Sequence, residues 1–152
     1  MYSIIRVSFL ISCLMAMSLR AGFDKGYDQI GPFKNGMAKV YKGEFVGYIN
    51  DRGEEFIACR YNSISDFQNG IAKVMIKKKF GYINLEDKEI IPIVFDYIGP
   101  FKEGIALVKK DRLFGLVDTS GLQIADVIYN EIGSFNNRCE AKVRINHLEG
   151  LI

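Results

Sequence analysis

The sequence contains no tryptophan, one histidine, three cysteines and three prolines among its 152 residues. A single histidine, His147, leaves almost no room for a histidine-built metal site or a histidine base with a partner. Paired-cysteine spacing, a His-x-x-x-His spacing and a glycine-rich phosphate loop are all absent, so no cofactor is expected. Charge of one sign is also scarce. Lys plus Arg is 20 and Asp plus Glu is 18, for a net charge of +2. That argues against nucleic acid as a partner, because phosphate neutralisation normally needs a clustered basic excess. Long apolar runs are missing except at the start of the chain. What remains is a globular composition, 49% hydrophobic with 15 glycines, rather than a disordered or collagen-like one.

The one apolar run, Val7 to Leu19, follows a single positive charge at Arg6. It suits the hydrophobic region of a secretory signal and is shorter than the roughly 20 residues of a comfortable span. Small residues at Ala16 and Ser18, and again at Ala21 and Gly22, offer cleavage sites. Residues 1–22 are therefore read as a signal peptide or hydrophobic leader, with an uncleaved membrane anchor or a folded segment as alternatives. The chain is expected to be exported, to the periplasm, cell surface or exterior. Leu10-Ile11-Ser12-Cys13 also resembles a lipobox, although the residues after Cys13 stay apolar where a tethered lipoprotein turns polar. Cys59 and Cys139 remain beyond the leader at unrelated positions and imply no disulfide framework.

Beyond the leader the chain repeats with a period of 34 residues. Tyr27-Asp28-Gln29-Ile30 recurs as Tyr61-Asn62-Ser63-Ile64, Phe95-Asp96-Tyr97-Ile98 and Tyr129-Asn130-Glu131-Ile132. Phe33, Phe67, Phe101 and Phe135 keep the step. So do Gly36, Gly70 and Gly104; Ala38, Ala72 and Ala106; Val40, Val74 and Val108; and Gly47, Gly81 and Gly115. The fourth copy has Arg138 in place of its first glycine and then gains one residue. The repeats are set at 27–60, 61–94 and 95–128, with a partial copy at 129–152.

Each repeat alternates with period two, the signature of strands. Ala38 and Val40 share a face, with Lys39 opposite. Gly47 and Ile49 share a face of the next strand, with Val46 and Tyr48 opposite. A glycine held inside a strand predicts close approach of another backbone or a large side chain. The third strand, seen in Glu89 to Ile93, contains Pro92 and belongs at an edge, since proline cannot donate to a ladder. Asp51-Arg52-Gly53 and Thr119-Ser120-Gly121 place glycine where a short loop needs positive φ, and Asp87 takes that place in the second repeat. The predicted fold is all-β: an array of short three-stranded antiparallel units with a linking segment, stacked as an open solenoid or superhelix. A partial β-propeller is the alternative.

These residues resemble the WG-repeat, or KWG-repeat, family. Its pattern runs here as Phe67-x-x-Gly70-x-Ala72-x-Val74, Phe80-Gly81-Tyr82-Ile83-Asn84, Ile90-Ile91-Pro92 and Phe95-Asp96-x-Ile98. The resemblance covers nearly all of residues 27–152. The family tryptophan is replaced by Val46, Phe80, Phe114 and Glu149. What the resemblance implies is an exported or surface-associated protein that binds other proteins.

Chemistry is sparse in the sequence. No spacing sets a nucleophile beside His147. Asp51, Asp87 and Asp118 recur near one turn, and recurring acids there form turns, because Asp bonds its own nearby backbone; paired acids for glycosidic chemistry are the other reading. Lys77-Lys78-Lys79 marks a solvated hairpin tip or a contact for phosphate or an acidic partner. Tyr48 and Tyr82 share a repeat position and are either a row for peptide or sugar binding or a cover over a neighbouring repeat. The expectation is a non-catalytic, exported, protein-binding module. A remnant of a longer repeat protein is the second reading, and a carbohydrate-binding or hydrolytic protein acting on surface polymer the third.

Overall fold

The structure is a computed structural model, described for residues 26–138 and 140–152; the segment read as a leader, with the tetrapeptide that resembles a lipobox, and Cys139 lie outside the described residues. Every regular element among the described residues is a β-strand. Four small antiparallel sheets follow one another along the chain and none closes into a barrel. The all-β repeat architecture expected from the 34-residue period is therefore present. The described residues divide into two compact units, one ending at Ser63 and the other beginning at Ile64.

In the amino-terminal unit, β1 (Gln29–Ile30), β2 (Met37–Lys42), β3 (Phe45–Asn50) and β4 (Glu55–Tyr61) make one sheet in that order. The three long strands are the predicted antiparallel unit. The linking segment contributes something the alternation did not reveal. Gln29 and Ile30 pair with Tyr41 and Val40, so they form a two-residue edge strand. The core gathers on the face that periodicity assigned: Ala38, Val40 and Ile49 are almost fully buried, with Tyr27 and Cys59 packed against them.

The carboxy-terminal unit repeats the plan. Its sheets are β5 (Ser63–Ile64), β6 (Ile71–Ile76), β7 (Lys79–Asn84), β8 (Glu89–Phe95); then β9 (Tyr97–Ile98), β10 (Ile105–Lys110), β11 (Leu113–Asp118), β12 (Gln123–Tyr129); then β13 (Glu131–Ile132), β14 (Lys142–Ile145), β15 (Leu148–Leu151). Pro92 lies in β8, an edge strand as expected. One cluster joins two successive sheets. Ile91 and Phe95 of β8 pack with Ile98 of β9, Ala106 and Val108 of β10 and Val117 of β11. A 34-residue repeat cannot enclose its own apolar face, so its neighbour completes the core.

The glycine of the second strand faces an irregularity. Val46 pairs with Tyr61 and Tyr48 with Ile57, so β3 advances two residues while β4 advances four. The same offset separates Phe80–Phe95 from Tyr82–Ile91, and Phe114–Tyr129 from Leu116–Ala125. The surplus residues bulge over the intervening glycine. A Cβ on Gly47 would stand 2.5 Å from the Ile57 carbonyl oxygen and 2.8 Å from Cys59 N. The close backbone approach predicted for this glycine is therefore what the bulge produces.

The turn before β2 was not read from the sequence. Asn35 and Gly36 both hold positive φ, 51° and 75°, and Lys34 and Met37 exchange backbone hydrogen bonds across them. Asn69-Gly70 and Glu103-Gly104 repeat the positive φ values, as in a two-residue hairpin turn of primed type. In the fourth copy Arg138 replaces the glycine and the loop changes. Asn136 Oδ1 accepts hydrogen bonds from Arg138 N at 2.8 Å and Glu140 N at 3.1 Å, and Asn136 N donates to the Glu140 carbonyl. The inserted residue gives this wider loop its length.

Candidate functional site

Recurring polar side chains hold the scaffold. At the end of the second strand, Asn50 Oδ1 accepts from Arg52 N and Glu54 N. Asn84 Oδ1 does the same for Glu86 N and Lys88 N, and Asp118 Oδ1 for Ser120 N and Leu122 N. These three positions are 34 residues apart. Of the three acids grouped at this turn, only Asp118 belongs to the series. Asp87 instead holds the positive-φ place, at 59°, that Gly53 and Gly121 hold in the neighbouring repeats. Asp118 also accepts from Ser120 Oγ at 2.7 Å; these hydrogen bonds, that of Ser120 first, hold its carboxyl below the ordinary aspartate range.

A second series explains the acid of the Tyr-Asp-x-Ile motif. Asp28 Oδ2 accepts from Gly43 N at 2.6 Å, and Asp96 Oδ2 from Asp111 N at 2.8 Å. Asn130 Oδ1 accepts from Asn146 N. Each caps the tip of the following hairpin. Asp96 does more, because its other oxygen takes Lys79 Nζ at 2.6 Å. The Lys79 hydrogen bond and the Asp111 amide hold the Asp96 carboxyl below its usual range. The same hydrogen bond raises the ammonium of Lys79.

The two tyrosines named as binding candidates sit differently. Tyr48 is buried, 5% exposed, and lies near Phe56 at a centroid distance of 6.1 Å. Tyr82 is half-buried against the core shared by the second and third repeats, edge-on to Phe101 at 5.3 Å. Burial raises its hydroxyl above the usual tyrosine range. Neither ring forms part of an open aromatic row. The positions of the missing tryptophan face the motif aromatics Tyr61, Phe95 and Tyr129 across the bulge. Lysines cover two of them: Lys73 Nζ lies 4.8 Å from the Phe80 ring and Lys109 Nζ 5.2 Å from the Phe114 ring. Lys73 Nζ also donates to the Ile98 carbonyl at 2.5 Å, and burial lowers its ammonium. It ties the second repeat to the third.

The chain belongs to the WG-repeat family. The model of the WG containing repeat matches residues 23–44, 47–80 and 80–113, more than half of the sequence. No curated protein matches the chain. In this WG-repeat chain the recurring Ala38, Ala72 and Ala106 and Val40, Val74 and Val108 are buried and Phe101 packs against the shared core, Phe33 and Phe135 are exposed, and the hairpin tips differ in every copy. The tips read Gly43-Glu44, Lys77-Lys78, Asp111-Arg112 and Asn146-His147.

His147 is exposed on the last of those tips, and no hydrogen bond or ion pair engages its ring among the described residues. Among the same residues no three His, Cys, Asp or Glu side chains gather as a metal site. Cys59 is half-buried with its Sγ 3.6 Å from the Val40 carbonyl. Burial, then the nearby Glu55, pushes its thiol up, away from the reactive thiolate. An open groove of about 420 Å³ lies beside the third tip, lined by Phe95, Leu113, Val127 and Ile128 with Lys110, Asp111, Gln123 and Asp126.

Proposed function

We propose that this WG-repeat chain is a non-catalytic, exported module that binds another protein. The observation that carries this reading is the division of labour between repeat positions. Recurring Asx side chains at 50, 84 and 118, and at 28, 96 and 130, are engaged by backbone amides. A side chain held in a turn is poorly free to move protons on a substrate. The positions that vary and reach solvent are hairpin tips, the first, third and fourth held by the caps at 28, 96 and 130 and the second tied to Asp96 through Lys79. A rigid framework presenting variable loops is the arrangement that binding proteins use. The leader at 1–22 supports export as the setting.

The test is affinity capture from the native exporting cell with a photo-crosslinker placed at Lys78 on a tip, and at Leu85 on the opposite turn as a control. A protein captured through Lys78 and not through Leu85 supports the reading. Recovery of no protein above the control overturns it.

A further inference from the structure

The hairpin tips of the carboxy-terminal unit share one end of their sheets. Asp96 shows this directly, since it holds Lys79 Nζ at 2.6 Å beside the second tip and Asp111 N at 2.8 Å in the third. The two tips are therefore clipped side by side. Exposed Lys77, Lys78, Lys110 and Arg112 cluster there, with Asp111 as the exposed acid of the tips. Lys109 lies just below, over the Phe114 ring. Glu86, Asp87, Glu103 and Asp118, with Lys88 and Lys102 among them, belong to the opposite end, where Thr119 N donates to the Gly104 carbonyl at 3.2 Å. Within this unit cations are in excess at the tip end, where Asp96, Asp111 and Asp126 also lie, and acids are in excess at the other.

The backbone adds an independent observation. Lys77, Lys78, Asp111 and Arg112 hold φ of 48°, 66°, 51° and 72°. Asn-Gly suits such tips far better, and the turns at 35–36 and 69–70 use it. Charged residues occupy the tips despite the strain, and strained residues cluster where a protein makes contacts.

We propose, resting on the protein-binding reading above, that this basic edge docks an acidic segment of a partner polypeptide. The carboxylates of Asp96 and Asp111 lie among the cations. They repel a continuous polyanion such as nucleic acid or sulfated polysaccharide, and leave separate positive positions that suit spaced Asp and Glu side chains. Charge complementarity of this kind sets orientation and speeds encounter.

The experiment uses the full chain and a dye-labelled peptide of alternating Glu and Ser, read by fluorescence anisotropy. Saturable binding that weakens with salt is expected. Lys78→Glu with Lys110→Glu should weaken it at least about tenfold, and Lys88→Glu with Lys102→Glu at the other end by less than about twofold. The neutral pair Lys78→Gln and Lys110→Gln should fall between them, and it keeps the test valid if charge reversal disturbs folding. Absence of saturable binding, equal loss in both edge variants, or tighter binding of a single-stranded oligonucleotide or a sulfated polysaccharide overturns the proposal. A cellular partner captured equally by the Lys78→Glu, Lys110→Glu chain overturns the docking edge alone. Capture of no protein by either chain overturns the binding reading and the edge with it.

Discussion

A Cβ placed on Gly81 would stand 2.6 Å from the carbonyl oxygen of Ile91 and 2.7 Å from Ile93 Cγ1. Residue 81 lies beneath the bulge of β8, and the contact atoms include backbone that cannot rotate away. Gly81→Ala is expected to lower stability by about 2–3 kcal/mol, as overpacking does. Gly99→Ala meets nothing closer than 3.5 Å and should change stability by less than about 1 kcal/mol. Urea unfolding of the two variants checks the difference.

The second tip stores strain at two lysines. Replacing Lys77 and Lys78 by Asn and Gly matches side chain to backbone and should raise stability by about 1 kcal/mol. The same change should weaken binding of the acidic peptide. A gain in urea midpoint with unchanged peptide affinity would separate the strain from any contact role.

Asp118 makes turn formation sensitive to acid. Its carboxyl is held low by Ser120 and neighbouring amides. A group whose folded value is depressed contributes stability above its unfolded value, about pH 3.9 for aspartate. That contribution is lost as pH falls through the folded value. Asp118→Asn should retain the turn, since Asn50 and Asn84 fill the same place. It should also reduce the loss of stability below about pH 4. Thermal melts of both chains between pH 2 and 6 measure this.

Cys59 should alkylate slowly in the native chain. Its thiol is raised by burial and by Glu55, so the thiolate fraction at neutral pH is small. Iodoacetamide labelling of Cys59, mapped by mass spectrometry, should be at least about tenfold slower folded than in urea. The native rate should keep climbing at alkaline pH beyond the point where the unfolded rate levels off.

Much of the framework was legible in residue order. Alternation at Ala38, Val40 and Ile49 placed the buried face, and Pro92 placed an edge. Gly47 foretold a close backbone. The turn at Asn35-Gly36 was also readable, because Asn-Gly is a strong hairpin signal, yet the 34-residue ladder drew attention to Gly36 alone. The Asn50, Asn84 and Asp118 series was hidden because Asn and Asp alternate there, and identity of residue type conceals identity of role. The two-residue strand β1 had no signal, since two residues show no alternation. Tyr48 and Tyr82 share one repeat position and differ in burial, which depends on what packs over each ring.

By itself, the sequence determined the 34-residue repeat, the three longer strands of each unit, the buried face of the first of them and the membership in the WG-repeat family. Those follow from periodicity, which every repeat states again. Only the tertiary structure decided where charge is concentrated and what the recurring acids do. Asp96 lies 17 residues from Lys79 and 15 from Asp111, and the folded hairpins bring both to one carboxylate. Charge sums along a chain cancel to +2, whereas antiparallel strands send alternate loops to opposite ends and so leave an excess of cations at one end and of acids at the other.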